Sequence, residues 1–172
     1  MLLNTLFEDQ AGFQIIGVRT MPLRKQIQRL DKQLYKGKGF RPKIGHTTLA
    51  ALHRGQVVAY IVLKPNSTSL YWLRSGVHPD FVGSGVAKQL WDHTKKAMQP
   101  LGFEEISART SDDNKRTLFS QILGEPVGDI KFKHKTVSKF KASLKNEEPE
   151  EQATEQRAIQ RTATRAGAMY KS

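Results

Sequence analysis

Apolar residues recur along this chain in two rhythms, one of period two and one near 3.6. Phe13–Thr20 (FQIIGVRT) carries the first and predicts a strand. From Met21 to Tyr35 the rhythm lengthens: Leu23, Ile27, Leu30 and Leu34 make an apolar stripe, while Arg24, Lys25, Arg29 and Lys32 face elsewhere. That predicts a helix, with Thr20 as its cap and Pro22 tolerated in the first turn. Lys36 to Gly45 is rich in glycine and basic residues and predicts a mobile loop at the rim. Two strands follow, Thr47–His53 and Gln56–Lys64, joined by a hairpin at Arg54-Gly55; Pro65 to Thr68 predicts the next turn. Ser69–Val77 is aromatic and aliphatic enough for a further strand. Val86, Leu90, Trp91, Ala97 and Met98 return to helical spacing, and Pro100-Leu-Gly ends that helix. Phe103–Ser111 predicts a strand and Asp112–Leu123 a short helix, capped by a left-handed Gly124. Residues 126–141 predict one or two final strands, with Lys131, Lys133, Lys135, Lys139 and Lys141 on one face as protection for a sheet edge.

This order is that of a mixed α/β (α+β) domain: a central, mostly antiparallel mixed sheet flanked by helices. From Lys145 the composition changes. Asn-Glu-Glu-Pro-Glu-Glu-Gln is acidic and without apolar residues, which predicts a linker. The following stretch offers only Ile159, Met169 and Tyr170 as large apolar groups, too few for a helix that folds alone. The expected division is a domain over residues 1–144 and a polar tail over 145–172, the tail being a docking segment for a protein partner.

Composition narrows the picture. With 172 residues the chain can build one domain with a core. No apolar run approaches the roughly 20 residues of a membrane span, and Met1–Asp9 is too short and too acidic for a signal peptide. The expected setting is therefore cytoplasmic. Without cysteine there is no disulfide, thiol nucleophile or cysteine metal site. The net charge of +12 resides in residues 1–144, because residues 145–172 carry five basic and five acidic groups. Such a domain attracts phosphates, whether of a nucleotide-bearing ligand or, non-specifically, of nucleic acid.

Candidate chemistry centres on residues 77–91, Val-His-Pro-Asp-Phe-Val-Gly-Ser-Gly-Val-Ala-Lys-Gln-Leu-Trp. A strand end, a turn with two glycines and an immediate helix create a place where backbone N–H groups and the positive helix end meet an anion. The stretch closely resembles motif A of the GNAT superfamily, the acyl-CoA-dependent N-acyltransferases. The resemblance implies that the turn Val82, Gly83, Ser84, Gly85, Val86, Ala87 holds the pyrophosphate of acetyl-coenzyme A, and that the backbone at Val77 pairs with its pantetheine arm. It also implies that the central strand and the strand after the motif helix splay apart to form the acyl cleft. Val82 departs from the family's Arg or Gln. Asn114 matches the residue that contacts pantetheine.

For catalysis the resemblance implies a tyrosine acid on the last helix. Counting back from Gly124, that position holds Ser120, whose hydroxyl is a far weaker acid than a phenol. His46 and His78 are candidate bases. Glu104, Glu105, Asp112 and Asp113 read as surface or capping groups, and His53, His93 and His134 lack metal-ligand spacing, so no metal site is expected. Two functions fit: an N-acetyltransferase acting on an amine, or a GNAT-fold adaptor without catalysis that docks through its tail on a larger assembly, such as a nucleic-acid-containing virion or phage particle.

Overall fold

The computed structural model describes residues 12–37, 39–132 and 135–144, apart from the side chains of Asn114 and Phe132. The expected linker and docking segment after residue 144, with Ile159, Met169 and Tyr170, lie outside the described residues, as do Lys133 and His134. Seven strands form one sheet: β1 (Gln14–Gly17), β2 (Thr47–His53), β3 (Gln56–Asn66), β4 (Ser69–Val77), β5 (Glu105–Thr110), β6 (Gly128–Phe132) and β7 (Lys135–Ser143). The helices are α1 (Met21–Tyr35), α2 (Val86–Met98) and α3 (Asp113–Leu123). None of them is long and apolar enough to cross a membrane.

The sheet order is β1-β2-β3-β4-β5-β7-β6, antiparallel everywhere except between β4 and β5. Strand β3 reads VVAYIVL without polar interruption because both of its faces are buried. On one face Ile27 and Leu30 of α1 pack on Ala50, Tyr60 and Val62. On the other, Leu90 and Trp91 of α2 and Phe119 and Leu123 of α3 pack on Ile61, Leu63, Trp72 and Phe140. Leu144 closes this core, its amide donating to Glu104 O at 2.8 Å.

Helix α1 has the predicted bounds, but Thr20 stands at the cap without a side-chain hydrogen bond. The Arg54-Gly55 hairpin has φ of 50° and 76°, the doubly left-handed pair that matches strand twist. Pro65 is not in a turn: β3 runs on to Asn66, past the end of β2, where the missing N–H of proline forfeits no bond to β2. The first strand is shorter than its apolar pattern, Gln14–Gly17 rather than Phe13–Thr20. The lysine ladder also needs correction. β6 forms the edge and carries Lys131, whereas Lys139 of β7 lies between β5 and β6 and Lys141 pairs with β5 alone, past the end of β6. Lys141 Nζ pairs with Glu105 at 2.7 Å.

One charged side chain joins α1 to the sheet. Asp31 lies on the apolar side of its helix, between Ile27 and Leu34, and its side chain is 2 % exposed. Its carboxylate accepts from Tyr60 Oη on β3, from Arg74 Nε (2.7 Å) and Nη2 (3.2 Å) on β4, and from the Phe40 amide (2.6 Å) in the loop. Burial raises the Asp31 carboxyl, but the hydrogen bonds from Arg74, Tyr60 and Phe40 outweigh it and hold the group below its ordinary value. The loop is fixed in turn by Gly39 at φ 79°, where a Cβ would meet Gln28 O at 2.5 Å.

Asp31→Asn leaves Arg74 half-buried without its counter-charge and should cost about 3–5 kcal/mol in urea unfolding. Because the folded carboxyl is depressed, its stabilisation is present above the ordinary carboxylate range and is lost as pH falls through the folded value. Unfolding followed against pH should therefore show a decline on the acid side in the parent that is shallower in Asp31→Asn. Equal stability of the two proteins would contradict this account.

Candidate active site

Strands β4 and β5 pair over three residues only, Ser69–Tyr71 against Glu105–Ser107. Beyond Tyr71 they part, although β4 continues to Val77 and β5 to Thr110. The expected splay is present, and a local irregularity accompanies it. Register between β3 and β4 shifts between Val62 and Leu63, pairing Val62 with Arg74 and Leu63 with Trp72, so Leu73 is an extra residue on β4. Such bulges bend a strand and increase its twist. Beside the freed length of β4 lies a cleft of about 1060 Å³, walled by β4, the end of α1, the glycine turn with α2, and α3.

The backbone of β4 is the cleft's polar wall. His78 N donates to Val58 O at 2.7 Å, and hydrogen-bonding direction alternates along an antiparallel pair. Ser75 and Val77 therefore turn their N–H and C=O groups away from β3, toward the gap. The Ser75 carbonyl shows this directly: it accepts from Tyr35 Oη at 2.6 Å, across from α1. At the floor, Trp72 stacks on Trp91 with centroids 5.6 Å apart, and its buried Nε1 has no partner among the described residues.

The glycine turn stands at the other end. Phe81 anchors it, lying edge-on to Phe13 at 5.8 Å and against His53 at 5.2 Å. Ser84 is used inside the turn: its Oγ donates to Phe81 O at 2.6 Å and accepts from Val86 N at 3.4 Å, while its amide donates to Phe81 O. The amide of Val82 is also engaged, with Pro79 O, and its side chain is 72 % exposed. Gly83, Gly85, Ala87 and Lys88 are different. Among the described residues their amides have no hydrogen-bond acceptor. Gly83 and Gly85 both have φ of 82°, and a Cβ on either would meet nothing within 4 Å. These are open donors at the start of α2, the geometry in which helices hold phosphate. Lys88, which sequence reasoning did not include, belongs to this set.

The predicted catalytic residues are not gathered in the cleft. His46 stacks on Phe40 in the loop, centroids 6.5 Å apart, and its Nδ1 accepts from Lys43 N. Slight burial and the charges of Lys43 and Lys64 lower its pKa. His78 caps the short 3-10 turn Pro79–Phe81 by accepting from Asp80 N. Ser120 is absent from the cleft lining, which α3 supplies through Lys115, Leu118, Gln121 and Ile122. Phe119 beside it packs into the core against Trp72 and Phe140. Asn114 falls in the first turn of α3, with its side chain outside the described part. Asp112 behaves as the expected cap, its Oδ1 accepting from Lys115 N at 3.2 Å. Among the described residues no three His, Asp or Glu side chains gather as a metal site.

Tyr35 and Lys115 of the cleft lining form, with Arg74 behind them, a cluster that no motif announces. Tyr35 of α1 meets Arg74 of β4, whose guanidinium carbon is 3.7 Å from the ring centroid, and Lys115 of α3, whose Nζ is 4.2 Å from it. Burial raises the Tyr35 phenol above its ordinary value. Arg74 is balanced by Asp31, which holds it firmly charged. Lys115 has no carboxylate within ion-pair distance among the described residues. Burial, and after it the neighbouring charge of Arg74, lower its pKa. A clue in the sequence was the placing of Asp31 on a helical face otherwise given to Ile27, Leu30 and Leu34.

Comparison with known proteins places this geometry. Residues 17–119 match the model of the Acetyltransferase (GNAT) family. Among solved structures, the ribosomal-protein-S18-alanine N-acetyltransferase from Escherichia coli superposes with a TM-score of 0.66 at 10 % identity, covering 79 % of this chain and 97 % of that one. Ard1 from Thermoplasma volcanium gives 0.65 at 14 %, covering 78 % and 99 %. The aminoglycoside 6′-N-acetyltransferase from Enterococcus faecium gives 0.64 at 14 %, covering 76 % and 97 %. At these identities the likeness is one of fold. No curated protein sequence matches the chain.

The electrostatics of the cluster can be measured. In an NMR pH titration of the lysine side chains, Lys115 should lose its proton below the pH at which a model-peptide lysine does. Replacing Arg74 with Met should move that midpoint upward, since one of the two causes is removed. A Lys115 midpoint at or above the ordinary lysine value would contradict the described environment.

Proposed function

The chain belongs to the GNAT acetyltransferase family, and on that premise we propose that it transfers an acetyl group from acetyl-coenzyme A to an amine. The observation that carries this reading is the pairing of a parted β4–β5 seam with a glycine turn whose amides are unspent. Acetyl-coenzyme A supplies the acyl group as an activated thioester. On the protein's side, the amides of Gly83, Gly85, Ala87 and Lys88 would hold the pyrophosphate, and the free edge of β4 at Val77 would pair with the pantetheine amides. Trp72 Nε1 offers a further buried donor at the cleft floor. The exposed apolar Val82 adds no charge where relatives place Arg or Gln, so the phosphate contact rests on backbone and helix dipole.

The chemistry needs a neutral amine, a donor for the carbonyl oxygen as charge develops on it, and a proton for the departing thiolate. The outward-facing N–H groups of β4 are the oxyanion donors. Lys115 at the cleft wall disfavours a second positive charge beside it, which favours the neutral form of an entering amine. Tyr35 takes the role for which Ser120 is misplaced. It is a protonated phenol lining the cleft, and to protonate the departing sulfur its O–H would turn away from Ser75 O, to which it donates in the resting site.

Calorimetry with acetyl-coenzyme A tests the reading. The parent should bind, and Gly83→Glu or Gly85→Glu should abolish binding by setting a carboxylate among the phosphates. Gly85→Asn, which tolerates a left-handed backbone without adding charge, should retain part of it. No binding by a folded parent at millimolar ligand would remove the enzymatic reading and favour the adaptor without catalysis.

Turnover assays separate the two hydroxyls. Tyr35→Phe should lower kcat by about a hundredfold with coenzyme A affinity preserved. Ser120→Ala should stay within about threefold of the parent, since its hydroxyl lies off the cleft. The reverse ranking would show that the acid has been misassigned.

A further inference from the structure

We propose that the solvent face of α1 is a nucleic-acid-docking surface that grips a phosphodiester backbone through the stripe Lys25, Arg29, Lys32 and Lys36. Lys25, Arg29 and Lys32, spaced four and three apart, stand one above another on the helix, and Lys36 follows at its C-cap, where the backbone turns left-handed. All four are exposed, while the opposite side of the helix is buried on the sheet through Ile27 and Leu30. At a rise of about 1.5 Å per residue the stripe extends for roughly 16 Å. Arg41 and Lys43 continue it, exposed in the loop that the Phe40–Asp31 bond ties to α1.

Its isolation from acidic groups marks it out. Residues 12–45 contain nine Lys and Arg and a single acidic residue, Asp31, which is buried and already paired with Arg74. Helix α2 shows what an ordinary charged surface looks like in the same protein: Lys88 and Lys95 both pair with Asp92, at 2.8 and 3.1 Å. Among the described residues the stripe on α1 has no such pair. Its local design runs against helix stability in three ways. The cap residue makes no side-chain bond, no acid stands in the first turn while Arg24 and Lys25 face the positive end of the dipole, and like charges sit at i, i+4. Lys25 in the first turn and its like-charged neighbour Arg29 at i+4 break local rules and both belong to the exposed stripe, which indicates a surface kept for a ligand. A phosphodiester strand, with its dense regular charge and condensed counterions, is the ligand that a row of exposed point charges serves best. The C-terminal end of the stripe adjoins Leu34 and Tyr35 in the cleft lining, so a docked strand would lead to the cleft mouth. Docking itself does not depend on acyl transfer.

The test is fluorescence anisotropy of the full chain with a short labelled duplex and a short single strand of arbitrary sequence, over about 50 to 200 mM salt. The parent should bind both, weakening steeply with salt. The variant K25Q/R29Q/K32Q/K36Q should reduce the slope of log affinity against log salt by about 3 to 4 for the duplex, as loss of four phosphate contacts requires. Its melting temperature should change little, because the repulsion relieved is offset by the loss of Lys32 and Lys36 at the negative end of the dipole, and Gln forms helices nearly as well as Lys. Coenzyme A calorimetry on the same variant should match the parent, which separates this proposal from the acyltransfer reading. Absence of parent binding at low salt overturns the proposal, as does an undiminished slope in the variant. Loss of binding in K131Q/K135Q/K139Q instead would assign the surface to the far end of the sheet and overturn it too. Tighter binding to poly-glutamate than to either nucleic acid would replace it with an acidic protein partner.

Discussion

The carboxylate of Asp31 is the interaction on which the cleft's geometry depends. A lone buried acid on an apolar helix face would be expelled or neutralised. Here it is saturated by a phenol from β3, a guanidinium from β4 and an amide from the loop, so burial becomes tolerable and the four elements are fixed together. Arg74 is thereby turned toward α1, where its plane lies over Tyr35. Tyr35 then reaches Ser75 on the strand that forms the cleft wall. Remove the carboxylate and the arginine, the tyrosine and the loop all lose the reference that orients them. Replacing a whole ionic cluster with apolar residues can keep a fold stable, but it cannot keep this wall polar.

Much of the fold was legible because the apolar periods were clean. Helix α1 and strands β2 and β4 have the bounds their patterns predict, and the glycine turn joins strand to helix where the motif requires. The errors have physical reasons. Pro65 reads as a turn former, yet it stands where β3 no longer needs a second partner. The lysines of β7 read as an edge because sequence shows which face a residue takes but not which strand is outermost.

The site was less legible than the scaffold. Backbone donors are announced by glycine spacing, so Gly83 and Gly85 could be named, whereas Lys88, whose amide is equally open among the described residues, carries no sign of it. The Asp31–Arg74 pair spans 43 positions and Tyr60–Asp31 spans 29, distances over which no local pattern reports. Ser120 stands off the cleft lining, beside Phe119 in the core. A one-residue difference in helix register rotates a side chain by about 100°, enough to move it from a cleft to its back.

The seam between β4 and β5 bears on how the molecule assembles. Strands β1 to β4 follow one another in space, and the two connections from β2 to β4 are hairpins, cheap in chain entropy. Strand β5 arrives only after a parallel crossover through α2 and is held to β4 by three residue pairs. Contacts of that kind form late, since their loop must be closed before any bond repays it. The protein is thus a meander that can nucleate early and a smaller ribbon of β5, β7 and β6 that joins it last. The cleft lies beside this join, so the parting of strands that leaves room for it is also a feature that takes shape late.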